Sequence, residues 1–186
     1  MALTESNMLP IGTLAPEFIL LDTISDKLLS INDLCSDKAT VIMFICNHCP
    51  YVIHVKNEIV KLAQDYQPKG VSFIAISSND VEKYPQDGPE PMKVFAQESG
   101  FTFPYLYDET QVVARAYDAA CTPDFYIFDG KKQLKYRGRL DDSRPRVENP
   151  KPVTGSDLRG ALNALLSNQM ISEIQYPSMG CNIKWK

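Results

Sequence analysis

The sequence predicts a single α/β domain with a mixed central sheet flanked by helices, and three observations carry that reading. Val41-Ile42-Met43-Phe44-Ile45 and the stretch 71–77 (Val-Ser-Phe-Ile-Ala-Ile-Ser) are short apolar runs with little polar alternation, as expected of strands buried on both faces. Between them Val52, Val55, Ile59, Leu62, Ala63 and Tyr66 recur at helical spacing and form one apolar stripe. The chain has 186 residues, 44% hydrophobic and 23% charged, so it builds one substantial core and needs no second domain.

Taken in order, residues 14–22 read as a loop and short strand, with 27–30 returning as its hairpin partner, an N-terminal extension to the sheet. Asn32-Asp33-Leu34 resembles a helical turn, and the first apolar run follows. A helix should start at Cys49-Pro50, because proline suits the first turn, and end by Pro68-Lys69-Gly70. Residues 79–91, rich in Pro, Gly and Asp, are predicted as a loop insertion, 92–99 as a short helix, 105–107 as a strand and 109–117 as a helix. Residues 125–128 form a strand that Asp129-Gly130 turns into a partner at 133–137. A second loop insertion, 141–155, leads to a helix with Leu158, Ala161, Leu162 and Leu165 on one face, with Thr154 and Asp157 as its capping start. Residues 169–186 are a C-terminal tail. Strands alternating with helices imply a parallel core, with an antiparallel hairpin on one edge.

A net charge of −4 gives no footprint for nucleic acid. No run of about 18 apolar residues predicts a membrane span. The segment Met1 to Pro10 lacks the basic and apolar regions of a secretory signal, so the expected location is cytoplasmic. Five cysteines (Cys35, Cys46, Cys49, Cys121 and Cys181) are an odd number, which argues against a static disulfide framework and towards redox chemistry or metal binding.

One pair is close in sequence, in Cys46-Asn47-His48-Cys49-Pro50, where a buried strand hands over to a helix start. Unpaired backbone N–H groups and the positive end of the helix dipole stabilise a thiolate there. Cys49 should lean towards the buried stripe. Cys46, at the loop end, is expected to be the accessible sulfur that attacks, with Cys49 resolving the mixed disulfide. His48 either donates to or charges the thiolate's surroundings, or is only a solvent-facing loop residue. His54, within the helix, reads as surface or structural. Two cysteines at this spacing also suit half of a zinc site, but no second such pair or spaced histidine pair accompanies them.

Four motifs give the chain a resemblance: Leu14-Ala15-Pro16-Glu17-Phe18; Phe44-Ile45-Cys46-Asn47-His48-Cys49-Pro50-Tyr51; Cys121-Thr122-Pro123-Asp124-Phe125; and the tail Gly180-Cys181-Asn182-Ile183-Lys184-Trp185-Lys186. In these it resembles the thioredoxin superfamily, and within it the redoxin (AhpC/TSA-like) branch, a peroxiredoxin-like thioredoxin subgroup. The resemblance implies a thioredoxin-like fold and a thiol–disulfide oxidoreductase with an antioxidant role, no cofactor and no metal. Its partners would be protein or small-molecule disulfides and thiols, with an upstream thiol reductant. It places Cys46, Cys49, His48 and Pro123 in the chemistry, and Thr122, Asn47 and Pro50 at the substrate. It also implies a cis peptide before Pro123, which leaves no N–H beside the sulfurs; the alternative is an ordinary trans proline opening a strand.

Departures from the relatives matter. In peroxiredoxins, which resemble this region, Cys49 would hold the peroxidatic position, Cys46 that of a threonine and Ile42 that of an upstream proline. Thr122 would lie where an arginine is expected, leaving Arg137 or Arg139 to substitute in space. Thr40 stands where thioredoxins carry a buried acid. Cys121 is a third redox thiol or a packing residue, Cys181 a structural residue or a resolving or intermolecular partner, and Cys35 inert. The stretch Arg137-Gly138-Arg139-Leu140-Asp141-Asp142 reads as a solvated loop, with Arg139 a candidate for acting on the site through other residues. Three functions follow: dithiol–disulfide exchange; a thiol peroxidase using Cys49; and metal or haem handling through Cys46, His48, Cys49 and Cys121.

Overall fold

The two apolar runs become the middle of a seven-stranded sheet in the computed structural model, which describes residues 3–145 and 147–186. Met1, Ala2 and Arg146, the last inside the predicted 141–155 loop, lie outside the described residues. The strands are β1 (Leu3–Glu5), β2 (Ile19–Asp22), β3 (Lys27–Ser30), β4 (Ala39–Phe44), β5 (Val71–Ser77), β6 (Tyr105–Tyr107), β7 (Cys121–Thr122), β8 (Asp124–Asp129), β9 (Leu134–Gly138) and β10 (Met179–Asn182). The helices are α1 (Ile31–Leu34), α2 (Pro50–Tyr66), α3 (Pro89–Ser99), α4 (Val112–Ala116) and α5 (Ser156–Leu166).

The large sheet runs β3-β2-β6-β5-β4-β8-β9, with β4, β5 and β6 parallel and the remaining pairs antiparallel. Side-chain alternation along β4 divides the core. Val41 and Met43 meet α2, α3 and α5 on one face, and Ile42 and Phe44 meet α1 and α4 on the other. Both faces are therefore covered, which is why β4 and β5 read as unbroken apolar runs. Among the described residues no helix is long and apolar enough to cross a membrane.

Several expectations need correction. Antiparallel hairpins close both edges of the sheet, β2–β3 as well as β8–β9. Helix α3 starts at Pro89 rather than residue 92, with proline in its first turn, so the predicted 79–91 insertion shrinks and holds a 3₁₀ turn at Pro85–Asp87. Helix α4 is shorter than 109–117: Gln111 is left-handed (φ 63°), and Asp108 Oδ2 instead accepts the N–H of Ala114 at 2.9 Å. Thr154 and Asp157 do not cap α5. Its N-cap is Gly155 at φ 64°, and Asp141 Oδ2 accepts the N–H groups of both Thr154 and Gly155 at 2.7 Å.

The tail departs furthest from expectation. β10 pairs with β1 on one side and β7 on the other, in a small three-stranded sheet. Gly180 makes that approach feasible, since a Cβ there would sit 2.0 Å from the Thr122 carbonyl oxygen.

Candidate active site

Strand β4 ends at Phe44 and the chain passes through Ile45 to Cys46, while Cys49 is the N-cap of α2 with extended backbone (φ −70°, ψ 120°) and Pro50 follows in the first turn. Antiparallel pairing of Phe44 with Asp124 sets the start of β8 beside the end of β4. The segment just before it, Thr122-Pro123, therefore faces the two cysteines. The Thr122–Pro123 peptide is cis. Thr122 touches both sulfurs: its Oγ1 is 3.6 Å from Cys46 Sγ, and its carbonyl oxygen is 3.2 Å from Cys49 Sγ, accepting a hydrogen bond when that sulfur is protonated.

Cys46 and Cys49 are reduced, and they hydrogen-bond to one another. Cys46 was expected to be accessible; it is 1% exposed, and Cys49 0%. The cause is the segment predicted as an insertion. Asp87 Oδ1 accepts the Asn47 N–H at 2.9 Å, Asn47 Nδ2 donates to the Gln86 carbonyl at 2.8 Å, and Tyr105 donates its hydroxyl to Asn47 Oδ1 at 3.0 Å. The loop between the sulfurs is tied down on three sides, and Cys46 turns inward.

The two thiols ionise unequally. Cys49 is lowered to about 5, chiefly because the Cys46 S–H donates to it, with the Thr122 and Cys181 side chains and the Val52 N–H adding hydrogen bonds against the opposing effect of burial. Cys46 is pushed well above the usual thiol range because it is the donor in that bond, because it is buried, and because the Asp87 carboxylate faces it. The surroundings thus favour the thiol form of Cys46 and the thiolate form of Cys49, at the start of α2.

Asp87 was not singled out in the sequence. It is fully buried, accepts from Asn79 Nδ2 at 2.8 Å, and lies 2.6 Å from His48 Nδ1. Nothing in the local pattern distinguishes it from other acids of its loop, and its link to Asn47 spans 40 residues. His48 is thus held in place rather than free in solvent, stacked on Tyr84 with ring centroids 5.5 Å apart and planes within 3°. Cys46 Sγ, His48 Nδ1 and the Asp87 carboxylate lie within 4.8 Å of one another, so these residues could hold a metal ion. Of the ligand set read from sequence, only Cys46 and His48 belong to that group.

Other expected residues are more peripheral. Cys121 is buried and donates to the Pro123 carbonyl at 3.8 Å. Pro123 is buried, and Ser178 Oγ donates to its carbonyl at 2.7 Å. Asp124, the next residue, is pushed up to about 7 by burial while accepting from Ser6 Oγ and Tyr126 OH. His54 is bonded to Ser143 Oγ at 2.8 Å, consistent with a structural role. Arg137 is engaged by Gln175, and Arg139 by Asp157 and the Tyr176 ring, so neither supplies its guanidinium to the sulfurs. Cys181, read from the sequence as a structural residue or a resolving or intermolecular partner, hydrogen-bonds to Cys49.

Residues 11–137 match the AhpC/TSA family. An uncharacterized conserved protein from Geobacillus kaustophilus, known from a crystal structure, is 61% identical, with a TM-score of 0.97 over 100% of this chain and 97% of that one. A hypothetical protein from Sinorhizobium meliloti 1021 is 41% identical, with a TM-score of 0.94 over 98% of each chain. The thiol-disulfide oxidoreductase ResA of Geobacillus thermodenitrificans is 26% identical over 160 residues, 80% of this chain and 83% of that protein.

Proposed function

The chain belongs to the AhpC/TSA family and has a thioredoxin-like fold, and from that premise we propose that it is a thiol–disulfide oxidoreductase working through Cys46 and Cys49. The observation that carries this reading is the pair itself: two reduced sulfurs at a helix start, hydrogen-bonded to one another, one lowered to about 5 and the other held protonated. Such a pair is a poised nucleophile with its resolving thiol already in contact.

The charge on Cys49 favours the reverse of the order read from sequence. The Cys49 thiolate attacks one sulfur of a substrate disulfide; a Cys49–substrate bond forms, the substrate S–S bond breaks, and the departing thiolate takes the proton of Cys46. Cys46 then attacks Cys49, closing the Cys46–Cys49 disulfide and releasing the second substrate sulfur, which takes a proton from water. Two electrons have moved to the substrate, and an upstream thiol reductant restores the dithiol. Substrates are protein or small-molecule disulfides. They meet the half-buried Asn47 and His48, which cover the sulfurs. Thr122, in contact with both sulfurs, holds the pair in register, Pro123 backs it, and Pro50 starts the helix whose end stabilises Cys49.

The ionised Cys49 also favours a second reading, a thiol peroxidase. Cys49 would take one oxygen from a hydroperoxide, giving an alcohol and a sulfenic acid that condenses with Cys46 to a disulfide and water. Against it stands the engagement of Arg137 and Arg139 elsewhere. Reduction of insulin disulfides and of a hydroperoxide by wild type, Cys46→Ser and Cys49→Ser tests both. Exchange is expected to dominate and to disappear in Cys49→Ser. Wild-type protein that reduces no disulfide under any thiol donor would overturn the leading reading.

A further inference from the structure

A third sulfur lies beside the pair. In the β10–β7 register Cys181 stands opposite Thr122, the residue whose hydroxyl touches Cys46 and whose carbonyl holds Cys49. Cys181 is 4% exposed, lies in the same apolar cluster as Cys46 and Cys49, and hydrogen-bonds to Cys49. Its position is built rather than incidental. Gly180 lets β10 close against β7, Ser178 donates to the Pro123 carbonyl at 2.7 Å, and beyond Cys181 the Ile183 N–H donates to the Ala120 carbonyl at 3.0 Å and the Lys184 N–H to Asn79 Oδ1 at 2.9 Å. Three anchors thus fix a short strand whose one thiol points at the ionising sulfur.

We propose that Cys181 is a second resolving thiol, so that the oxidised protein exchanges between a Cys46–Cys49 and a Cys49–Cys181 disulfide. The proposal rests on the exchange reading above. The step is an isomerisation. Cys181 attacks Cys49 Sγ, the Cys49–Cys181 bond forms and the Cys46–Cys49 bond breaks. The electron pair leaves on Cys46, which takes up the proton Cys181 gives away; nothing is oxidised or reduced overall. At rest Cys181 is a thiol, pushed up to about 12 first by burial and then by its hydrogen bond to Cys49, with the Lys184 ammonium acting in the opposite sense. The same sulfur can resolve a mixed disulfide held on Cys49 when Cys46 is absent, releasing the substrate thiol.

Tryptic peptides separate the possibilities: Cys46 and Cys49 share the peptide 39–56, Cys121 lies in 116–131 and Cys181 in 160–184. Full-length wild type, Cys46→Ser and Cys46→Ser/Cys181→Ser are oxidised with glutathione disulfide, quenched in acid, alkylated and mapped by mass spectrometry. In wild type the expected result is an intrapeptide Cys46–Cys49 disulfide, with a minor 39–56 to 160–184 crosslink. In Cys46→Ser that crosslink becomes the main product, and in the double variant a Cys49–glutathione adduct accumulates at least tenfold over Cys46→Ser. Absence of the crosslink from both wild type and Cys46→Ser while wild type closes Cys46–Cys49 overturns this proposal and leaves the exchange reading standing. Wild type that forms no disulfide within peptide 39–56 and no crosslink overturns both. The wild-type measurement needs no variant to fold.

Discussion

Cys46 and Cys49 lie within one turn of chain, yet their surroundings are opposite in sign. The Cys46 side is walled by the segment carrying Asp87, whose buried carboxylate faces the sulfur and grips Asn47, Asn79 and His48. The Cys49 side offers mainly hydrogen-bond donors, namely the Val52 N–H of the first turn of α2, the Thr122 side chain, Cys46 and Cys181, beside the Thr122 carbonyl oxygen at 3.2 Å. A carboxylate disfavours a second negative charge beside it, and a helix start with converging donors favours one. The lesson is that spacing two cysteines at a strand–helix junction brings two sulfurs together but does not decide which one ionises. Segments far away in sequence decide that.

Breaking the Cys49 side should have the largest effect. Cys49→Ser removes the sulfur that ionises, and turnover of a protein disulfide is expected to fall by about 10³-fold or more, measured by insulin reduction with a thiol donor. Breaking the Cys46 side should show first as lost stability. Asp87→Ala strands the Asn47 N–H and the Asn79 amide in a buried site, and urea unfolding should report a loss of about 3–5 kcal/mol. Gly180→Ala presses a methyl into the Thr122 carbonyl, forcing β10 away from β7, and should cost about 1–3 kcal/mol by the same measurement.

Two smaller effects sharpen the contrast through pH. Asp87→Asn keeps the shape and removes the charge, so in a Cys49→Ser background the Cys46 thiolate absorbance near 240 nm should appear at lower pH than with Asp87 present. The second is a linkage effect. A thiol lowered in the folded state from its ordinary 9.0 to about 5 contributes stability that is fully present above about 9 and is lost as pH falls towards about 5. Reduced wild type should therefore gain in urea midpoint over reduced Cys49→Ser as pH rises through that window. Cys46, raised above its ordinary 9.0, works the other way and erodes stability only at more alkaline pH.

Much of the central sheet was legible because its signals are local. The apolar runs of β4 and β5, the stripe of α2 and the proline at its first turn each declare themselves within a few residues. The pair Cys46–Cys49 is local in the same way, whereas Thr122-Pro123 was implied by the family resemblance; the register of β4 with β8 brings the two together. What escaped depends on distant contacts. The burial of Cys46 follows from a loop 40 residues further on, whose polar composition resembles any solvated insertion. The N-terminus of α5 is fixed by Asp141, reaching 14 residues forward to Gly155, and not by the nearby Thr154. Cys181 sits in a four-residue strand with no periodicity to announce it, and only the pairing of β10 with β7 shows what it faces.

The claim on which all this rests is that the reduced site keeps its negative charge on Cys49. Titration of thiolate absorbance at 240 nm in reduced Cys46→Ser and Cys49→Ser tests it directly. A step of one thiolate at mildly acidic pH, near 5 in the wild type, should survive in Cys46→Ser and vanish in Cys49→Ser. The opposite pattern, an acidic step that persists without Cys49 and is lost without Cys46, would contradict the account.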